Sequence, residues 1–229
     1  MLTQLINKTN EEDFYDNWNL KLKSVNGKIE SYQNNNFEIN IFIENENEPE
    51  NTKREDWQIV AHQVIEIKNI FSPIYLPYIK LSLLEEHPLL WKFKYDELEC
   101  ELSGSIENHY EFTSKLHWLY EEQTGGFIEW KKDFYELSNW INGKKKIPIS
   151  MNMKTYNFVK KLTDDFGLTI DIINISSNER KGYLNRPNAK ILIFGNPDVS
   201  PNDFNLEQPF VIADKFIANQ IKPNSFPKV

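Results

Sequence analysis

The four histidines are the first residues that could do chemistry, because histidine serves as proton shuttle and metal ligand near neutral pH. His117 and Glu121 stand four residues apart in a segment with helical periodicity, so one helix face could offer a nitrogen and an oxygen to a metal ion. A zinc site needs three or four ligands, and the sequence has no second ligand pair on a helix and no His-Glu-x-x-His motif. We therefore interpret the pair as part of an exposed polar helix face and predict no metal or cofactor.

The sequence offers little else for acid/base or cysteine chemistry. Glu85, Glu86 and His87 lie together just before a proline, in a segment predicted to be a loop, and could form an acid/base cluster. No nucleophile or partner motif accompanies them. Cys100, the one cysteine, alternates with leucines on an apolar strand face, where a thiol is buried and unreactive. We predict no catalytic residues and favour a function without enzymatic activity.

Several side chains could instead bind a partner. Trp118 and Trp140 lie away from the apolar stripes of the two helices predicted to carry them, so each either packs against another element or is an exposed anchor for a protein. Glu97, Glu99 and Glu101 alternate with apolar residues and would occupy one charged face of a strand. Together with the helical His–Glu pair, these are the candidate binding residues.

Positive charge is concentrated in short segments. Three consecutive lysines occupy positions 144–146, and Arg180, Lys181 and Arg186 follow in a loop rich in turn residues. Basic loops on an acidic protein can bind a phosphate or another acidic group. Solvated loop charge is the alternative interpretation. We name Arg180, Lys181 and Arg186 as candidate anion-binding residues.

The composition excludes several classes of protein. A formal charge of −8 on 229 residues argues against a nucleic-acid binder, which needs clustered lysine and arginine, and fits a basic protein partner. A hydrophobic fraction of 40% is too high for a disordered chain. One cysteine excludes an internal disulfide and is typical of a reducing compartment. Without a leader-like start or a long apolar run, we expect a cytoplasmic protein with no membrane contact.

Strands are expected to position the glutamates. Alternation of apolar and polar residues predicts strands at about 37–43, 57–67, 78–84, 89–95 and 97–103, with a polar loop at 45–55. Asn26-Gly27, flanked by apolar residues, predicts a two-residue turn between the first two strands. The last two predicted strands each have one apolar and one charged face. Such strands are typical of an antiparallel sheet with solvent on one side and a cover on the other.

Helices are expected to position the tryptophans and the His–Glu pair. Residues 107–123 and 127–141 have apolar residues at spacings of three and four, and Gly125-Gly126 lies between them, which predicts a helical hairpin. A third helix is predicted at 154–165, followed by strands at 168–175 and 190–194, while residues 210–221 fit either a strand or a helix. The stripe of the second helix would consist of Phe127, Trp130, Phe134, Leu137 and Ile141.

These elements predict an α+β protein. We expect an N-terminal antiparallel sheet of five to seven strands covered on one face by the helical hairpin, with a smaller C-terminal helix and strand extension. The sheet and hairpin would span residues 1–147, and the extension, packed on them as one unit, would span 148–229.

Three functions are compatible with this fold. The first is a non-enzymatic binding protein, for example an antitoxin or immunity-type inhibitor that captures a basic effector on an acidic surface. The second is a small-molecule binder or enzyme with a pocket between sheet and helices, walled by Trp91, Phe93, Trp130 and His109. The third is a structural subunit of an assembly.

Overall fold

The computed structural model describes residues 1–29, 35–45, 53–70, 80–141, 143, 145–177, 182, 185–195 and 209–221. Within these residues the chain forms nine β-strands and seven α-helices. They belong to two compact units, one made of Met1–Glu85 with Asn188–Val229 and the other of Glu86–Pro187. This division differs from the expected one at residue 147, because the chain leaves the first unit after residue 85 and returns to it at residue 188.

The first unit contains a six-stranded antiparallel sheet. Helices α1 (Leu2–Thr9) and α2 (Phe14–Asn17) precede it. The strands are β1 (Asn19–Ile29), β2 (Asn35–Glu44), β3 (Arg54–Lys68), β4 (Leu81–Leu84), β8 (Lys190–Phe194) and β9 (Phe210–Ile221). Their order in space is β1-β2-β3-β9-β8-β4. The sequence of residues 210–221 fitted either a strand or a helix, and the segment forms strand β9. Because β9 lies between β3 and β8, it joins the N-terminal strands to the two short strands β8 and β4.

Alternation along β2 gives this sheet its apolar face. Phe37, Ile39, Ile41 and Ile43 are buried, whereas the residues between them are half-buried. They belong to one hydrophobic cluster that also includes Leu5 of α1. The strands predicted at 37–43 and 57–67 are confirmed. Most of the predicted loop at 45–55, and residues 78 and 79 of another predicted strand, lie outside the described residues.

The turn predicted at Asn26-Gly27 is wrong. Both residues lie inside β1, where they pair with Glu38 and Phe37 of β2, so the connection between the strands lies at residues 30–34, outside the described part of the chain. A ring carbon of Phe37 lies 3.5 Å from the position that a Cβ on Gly27 would occupy. That is an ordinary van der Waals distance, so Gly27 lies in contact range of a cross-strand aromatic ring within the strand and does not form a turn.

The second unit contains a three-stranded antiparallel sheet and five helices. Its strands are β5 (Glu97–Ser103), β6 (Lys146–Asn152) and β7 (Thr169–Ser176), in the order β6-β5-β7. Its helices are α3 (Trp91–Lys94), α4 (His109–Thr124), α5 (Trp130–Asp133), α6 (Leu137–Ile141) and α7 (Met153–Asp165). The apolar face of β5 shares one hydrophobic cluster with residues of α4, α6 and α7.

Helix α4 begins and ends where its sequence predicts. The side chain of Asn108 accepts a hydrogen bond from the Glu111 N–H at 3.2 Å, which caps the first turn. Gly125 has φ of 58° and donates its N–H to the Glu121 carbonyl at 2.8 Å. A side chain at this left-handed position would strain the backbone, so the glycine ends the helix. Helix α7 likewise confirms the prediction at 154–165.

The single helix predicted at 127–141 is wrong. The chain forms the short helices α5 and α6, with Phe134 between them at φ −109° and ψ 41°. Phe134, Leu137 and Trp140 are buried, at a constant spacing of three, whereas Ile141 is 38% exposed. The predicted stripe assumed the 3.6-residue repeat of one continuous helix. The buried residues instead repeat every three positions, so the two short helices bury Trp140 in place of Ile141.

The strand predicted at 89–95 is also wrong. Residues Pro88–Leu90 form a 3₁₀ turn that leads directly into α3, and the side chain of His87 caps it by accepting a hydrogen bond from the Leu89 N–H. Leu90 and Phe93 are buried at a spacing of three. Proline after an extended residue favours this helical start, and it outweighed the alternating pattern.

The α+β class and the large antiparallel sheet are confirmed. Helices also cover the apolar face of β5, as predicted, but this strand belongs to the three-stranded sheet and not to the N-terminal one. The six-stranded sheet is completed by β8 and β9, which were expected in the extension. Among the described residues, no helix is both long enough and apolar enough to cross a membrane.

Candidate functional site

The outer face of the three-stranded sheet carries most of the predicted binding residues. On the central strand β5, Leu98, Cys100 and Leu102 are buried, so Glu97, Glu99 and Glu101 project from the other face. The neighbouring strands add polar residues at the paired positions. We call this surface the acidic face; its residues are Lys146, Pro148, Ser150 and Asn152 of β6, Glu97, Glu99, Glu101 and Ser103 of β5, and Thr169, Asp171, Asn174 and Ser176 of β7.

The acidic face has an uneven charge. Four carboxylates and one ammonium give it a formal charge of −3. Lys146 donates a hydrogen bond to Glu101, and the carboxylate raises the pKa of that lysine through the bond and its own charge. The remaining carboxylates therefore make the face attractive to positive charge.

Neutral side chains hold two of the glutamates in place. The Ser150 hydroxyl donates to Glu97 Oε1 at 3.2 Å, and the Asn174 amide donates to Glu99 Oε2 at 3.3 Å. Both contacts are between neighbouring strands, and both donors are neutral, so they do not offset the formal charge of the glutamates. The lysines at 92 and 94 do not lie beside these glutamates on a neighbouring strand, because their segment forms α3.

An apolar rim lies beside the acidic face on strand β7. Ile172, Ile173 and Ile175 are exposed to 40%, 65% and 47%. Ile172 pairs with Cys100 and Ile175 with Leu98, so both project toward the apolar side of the sheet, while a register shift leaves Ile173 without an opposite residue on β5. Sequence reasoning missed this rim, because the three isoleucines look like an ordinary buried strand.

Helix α4 presents the other predicted residues. His117 and Glu121 are exposed, and no group of three or more potential ligands that could hold a metal ion occurs in the described ranges. Trp118 is 63% exposed and borders an open groove of about 770 Å³ between α4 and α7, which Phe158 and Leu162 also line. Trp118 therefore does not belong to the core.

Trp140 has a different environment. Its side chain is 7% exposed, and its ring lies edge-on to Phe112 with centroids 5.9 Å apart. The interpretation of Trp140 as an exposed anchor is wrong, and the alternative, that it packs in the core, is confirmed. It falls off the predicted stripe only because that stripe assumed one continuous helix.

The predicted anion-binding residues divide into two groups. Arg180 and Lys181 lie outside the described residues, as does the lysine at position 144. Arg186 is half-buried, and its backbone N–H donates to the Phe93 carbonyl at 3.1 Å. The anion site therefore stays a prediction.

His87 is buried and uncharged. Its Nδ1 accepts the Leu89 N–H at 3.2 Å, and its ring lies edge-on to Phe127 with centroids 4.3 Å apart. Burial lowers the pKa of His87 to about 4. Glu86 accepts a hydrogen bond from the Tyr95 hydroxyl, and Glu85 pairs with Lys190. His87 is thus a helix-capping residue, and its neighbours have structural contacts of their own.

A hydrogen bond that sequence reasoning missed joins the buried Tyr120 of α4 to the half-buried Asp133 of α5. The Tyr120 hydroxyl donates to Asp133 Oδ2 at 2.7 Å. Burial raises the pKa of Asp133 to about 6, and burial together with the nearby carboxylate raises the pKa of Tyr120 above its ordinary range. Phe112, Leu116 and Tyr120 are buried on α4 at a constant spacing of four, and that helical spacing was the available signal for Tyr120.

A second open pocket, of about 590 Å³, lies at the start of α4. It is lined by residues that include Ile106, His109, Trp140 and Lys145. Of the four residues predicted to wall a ligand pocket, His109 alone lines this one, while Phe93 is buried in the described structure.

No protein-family model, curated protein or solved structure matches this chain. Its function must therefore be argued from the surfaces of the molecule.

Proposed function

We propose that this chain is a non-enzymatic binding protein that holds a basic protein partner on its acidic face. The observation that carries the proposal is the charge of −3 on a solvent-facing sheet surface with an apolar rim beside it. Interfaces of this kind combine complementary charge, which speeds association, with apolar contacts, which slow dissociation.

The positions of the carboxylates support this proposal. Glu97 and Glu99 are tied to Ser150 and Asn174, so binding a lysine or arginine costs less side-chain ordering than binding to free glutamates would. A basic effector held in this way would have its own charged surface covered. An antitoxin or immunity-type inhibitor is one form of such a protein.

The test compares two triple variants with the same loss of charge. Glu97→Gln, Glu99→Gln and Glu101→Gln remove the acidic row, whereas Glu107→Gln, Glu111→Gln and Glu122→Gln remove three exposed carboxylates from α4 and the loop before it. Each protein is immobilised and used to capture partners from lysate at low salt. We expect the first variant alone to lose a basic partner that the unchanged protein retains.

Two results would contradict the proposal. One is equal capture by both triple variants, which would place the interaction elsewhere. The other is the absence of any basic partner that elutes as salt rises from 50 to 500 mM, because exposed charge pairs weaken as the Debye length falls.

A small-molecule site at the start of α4 is a second candidate function. The open pocket beside His109 and Trp140 favours it, since ligand sites combine apolar walls with a few polar groups. Native mass spectrometry of the purified chain tests it. A retained small molecule whose release follows His109→Ala is expected, and a spectrum of the bare chain argues against it.

A further inference from the structure

The two edges of the three-stranded sheet differ in their protection. Natural sheets block exposed edges with proline and lysine, because an open edge pairs with other strands. Edge strand β6 contains Pro148, which has no N–H to donate, and begins at Lys146. Edge strand β7 has the sequence TIDIINIS, with neither proline nor a basic residue. Strand β7 has the bulge at Ile173 but neither proline nor lysine, so in the described part of the second unit it is the less protected edge.

The exposed residues of β7 suit an added strand. Ile172 and Ile175 lie on the apolar side of the sheet, yet 40% and 47% of their surfaces stay exposed. Strands pair about 4.8 Å apart, so side chains of a fourth strand would cover them directly. On the opposite side, the same strand would lie next to Asp171 on the acidic face.

The negative charge of the acidic face indicates which kind of strand can bind at the edge of β7. A second copy would bring Asp171 and no basic residue from its own β7, so it would add negative charge to a face already at −3. A strand with lysine or arginine at alternate positions would place those side chains beside Asp171 and within about a Debye length of Glu99 and Glu101. Its other residues, if apolar, would pack on Ile172 and Ile175.

We infer that the partner binds by adding an extended segment to β7, with basic side chains on the acidic face and apolar side chains over the isoleucine rim. The inference rests on the proposed function, since it specifies how the basic partner is held. Backbone hydrogen bonds to β7 supply affinity, and the alternation of the segment supplies specificity.

The test uses fluorescein-labelled peptides of eight residues, acetylated and amidated at their ends. The first alternates lysine with valine. The second has the same composition in two blocks, four lysines then four valines. The third alternates lysine with proline, which keeps the charge but removes every second backbone donor. A fourth alternates glutamate with valine. Each is titrated with the full chain at 150 mM salt, and binding is followed by fluorescence anisotropy.

We expect the alternating lysine–valine peptide to bind at least about tenfold more tightly than the other three. Its binding should also slow hydrogen exchange at the amides of β7 and leave those of β6 unchanged. Equal binding of all three lysine peptides would overturn strand addition while leaving the acidic face as a charge-based site. Failure of every lysine peptide to exceed the glutamate peptide would overturn the proposed function itself.

Protein variants test the rim separately. Ile172→Thr with Ile175→Thr keeps the β-branched side chains and removes apolar surface, and Tyr135→Ser removes a comparably exposed apolar group elsewhere in the unit. Only the variant with both threonines should bind the alternating lysine–valine peptide more weakly, by about tenfold. A second copy is the remaining occupant. Sedimentation equilibrium showing a dimer at micromolar concentration that Ile173→Lys dissociates would overturn the inference in favour of self-association.

Discussion

Replacing Asp133 with asparagine should remove one component of the pH dependence of stability. The side chain is half-buried, and its partial removal from water raises its folded pKa from the ordinary value of 3.8 to about 6. Between these values the folded chain binds more protons than the unfolded chain, so this group makes stability fall as pH rises. The difference corresponds to about 3 kcal/mol lost between pH 3.8 and pH 6. An amide keeps the acceptor for the Tyr120 hydroxyl and carries no charge.

The pH dependence of stability of the unchanged protein does not by itself report on Asp133, because His87 also contributes to it. Its folded pKa of about 4 lies below the ordinary 6.5, so its contribution is complete above pH 6.5 and is lost as pH falls toward 4. That slope opposes the slope from Asp133 over pH 4 to 6. The informative quantity is therefore the difference between Asp133→Asn and the unchanged chain at each pH.

Urea unfolding followed by tryptophan fluorescence, repeated from pH 4 to pH 7.5, measures this difference. We expect Asp133→Asn to gain stability relative to the unchanged protein by about 2 to 3 kcal/mol as pH rises through that range. Ser138→Ala, at an exposed position on α6, changes no titratable group; it is the control and should give a difference that does not vary with pH. A constant difference for Asp133→Asn as well would refute the conclusion that the pKa of Asp133 is raised in the folded protein.

Three further predictions concern stability. His87→Asn keeps an acceptor for the Leu89 N–H, so relative to the unchanged protein it should remove a stability loss of about 3 kcal/mol between pH 6.5 and 4, seen in the same urea titrations. Phe134→Ala should cost about 3 to 5 kcal/mol because the ring is buried, and a melting temperature equal to that of the unchanged chain would contradict its place in the core. Trp118→Ala should change the free energy of unfolding by less than about 1 kcal/mol, since the side chain is largely exposed; a larger loss in calorimetry would show that it is packed.

Local rules predicted the elements whose signals are contained within a few residues. The spacing of apolar residues predicted helix α4 and Gly125-Gly126 predicted its end, because both signals act within one helix. Alternation likewise predicted the charged face of β5 that carries Glu97, Glu99 and Glu101. The sequence therefore predicted the glutamates of the candidate site but not the isoleucine rim.

Strand partners depend on contacts that no local pattern contains. Alternation predicted the apolar face of β5 but could not show that β6 and β7, rather than the N-terminal strands, would pair with it. The exposure of Ile172 and Ile175 could not be predicted either, because it depends on β7 lying at the edge of the sheet. Trp140 illustrates the reverse case, where an assumed long helix placed a buried ring on the wrong side.

The return of the chain to its first unit has a consequence for folding during synthesis. Residues paired between β3 and β9 are separated by 142 to 165 positions, whereas every strand of the second unit lies within one continuous segment. Contacts of such long range form slowly. The second unit can therefore fold while the ribosome is still adding β8 and β9, and until then the edge of β3 that β9 will cover has no partner from β9. Nascent chains are thus exposed to misassembly at β3 and at β4, whose partner β8 is also still missing, and a chaperone acting before release would protect both strands.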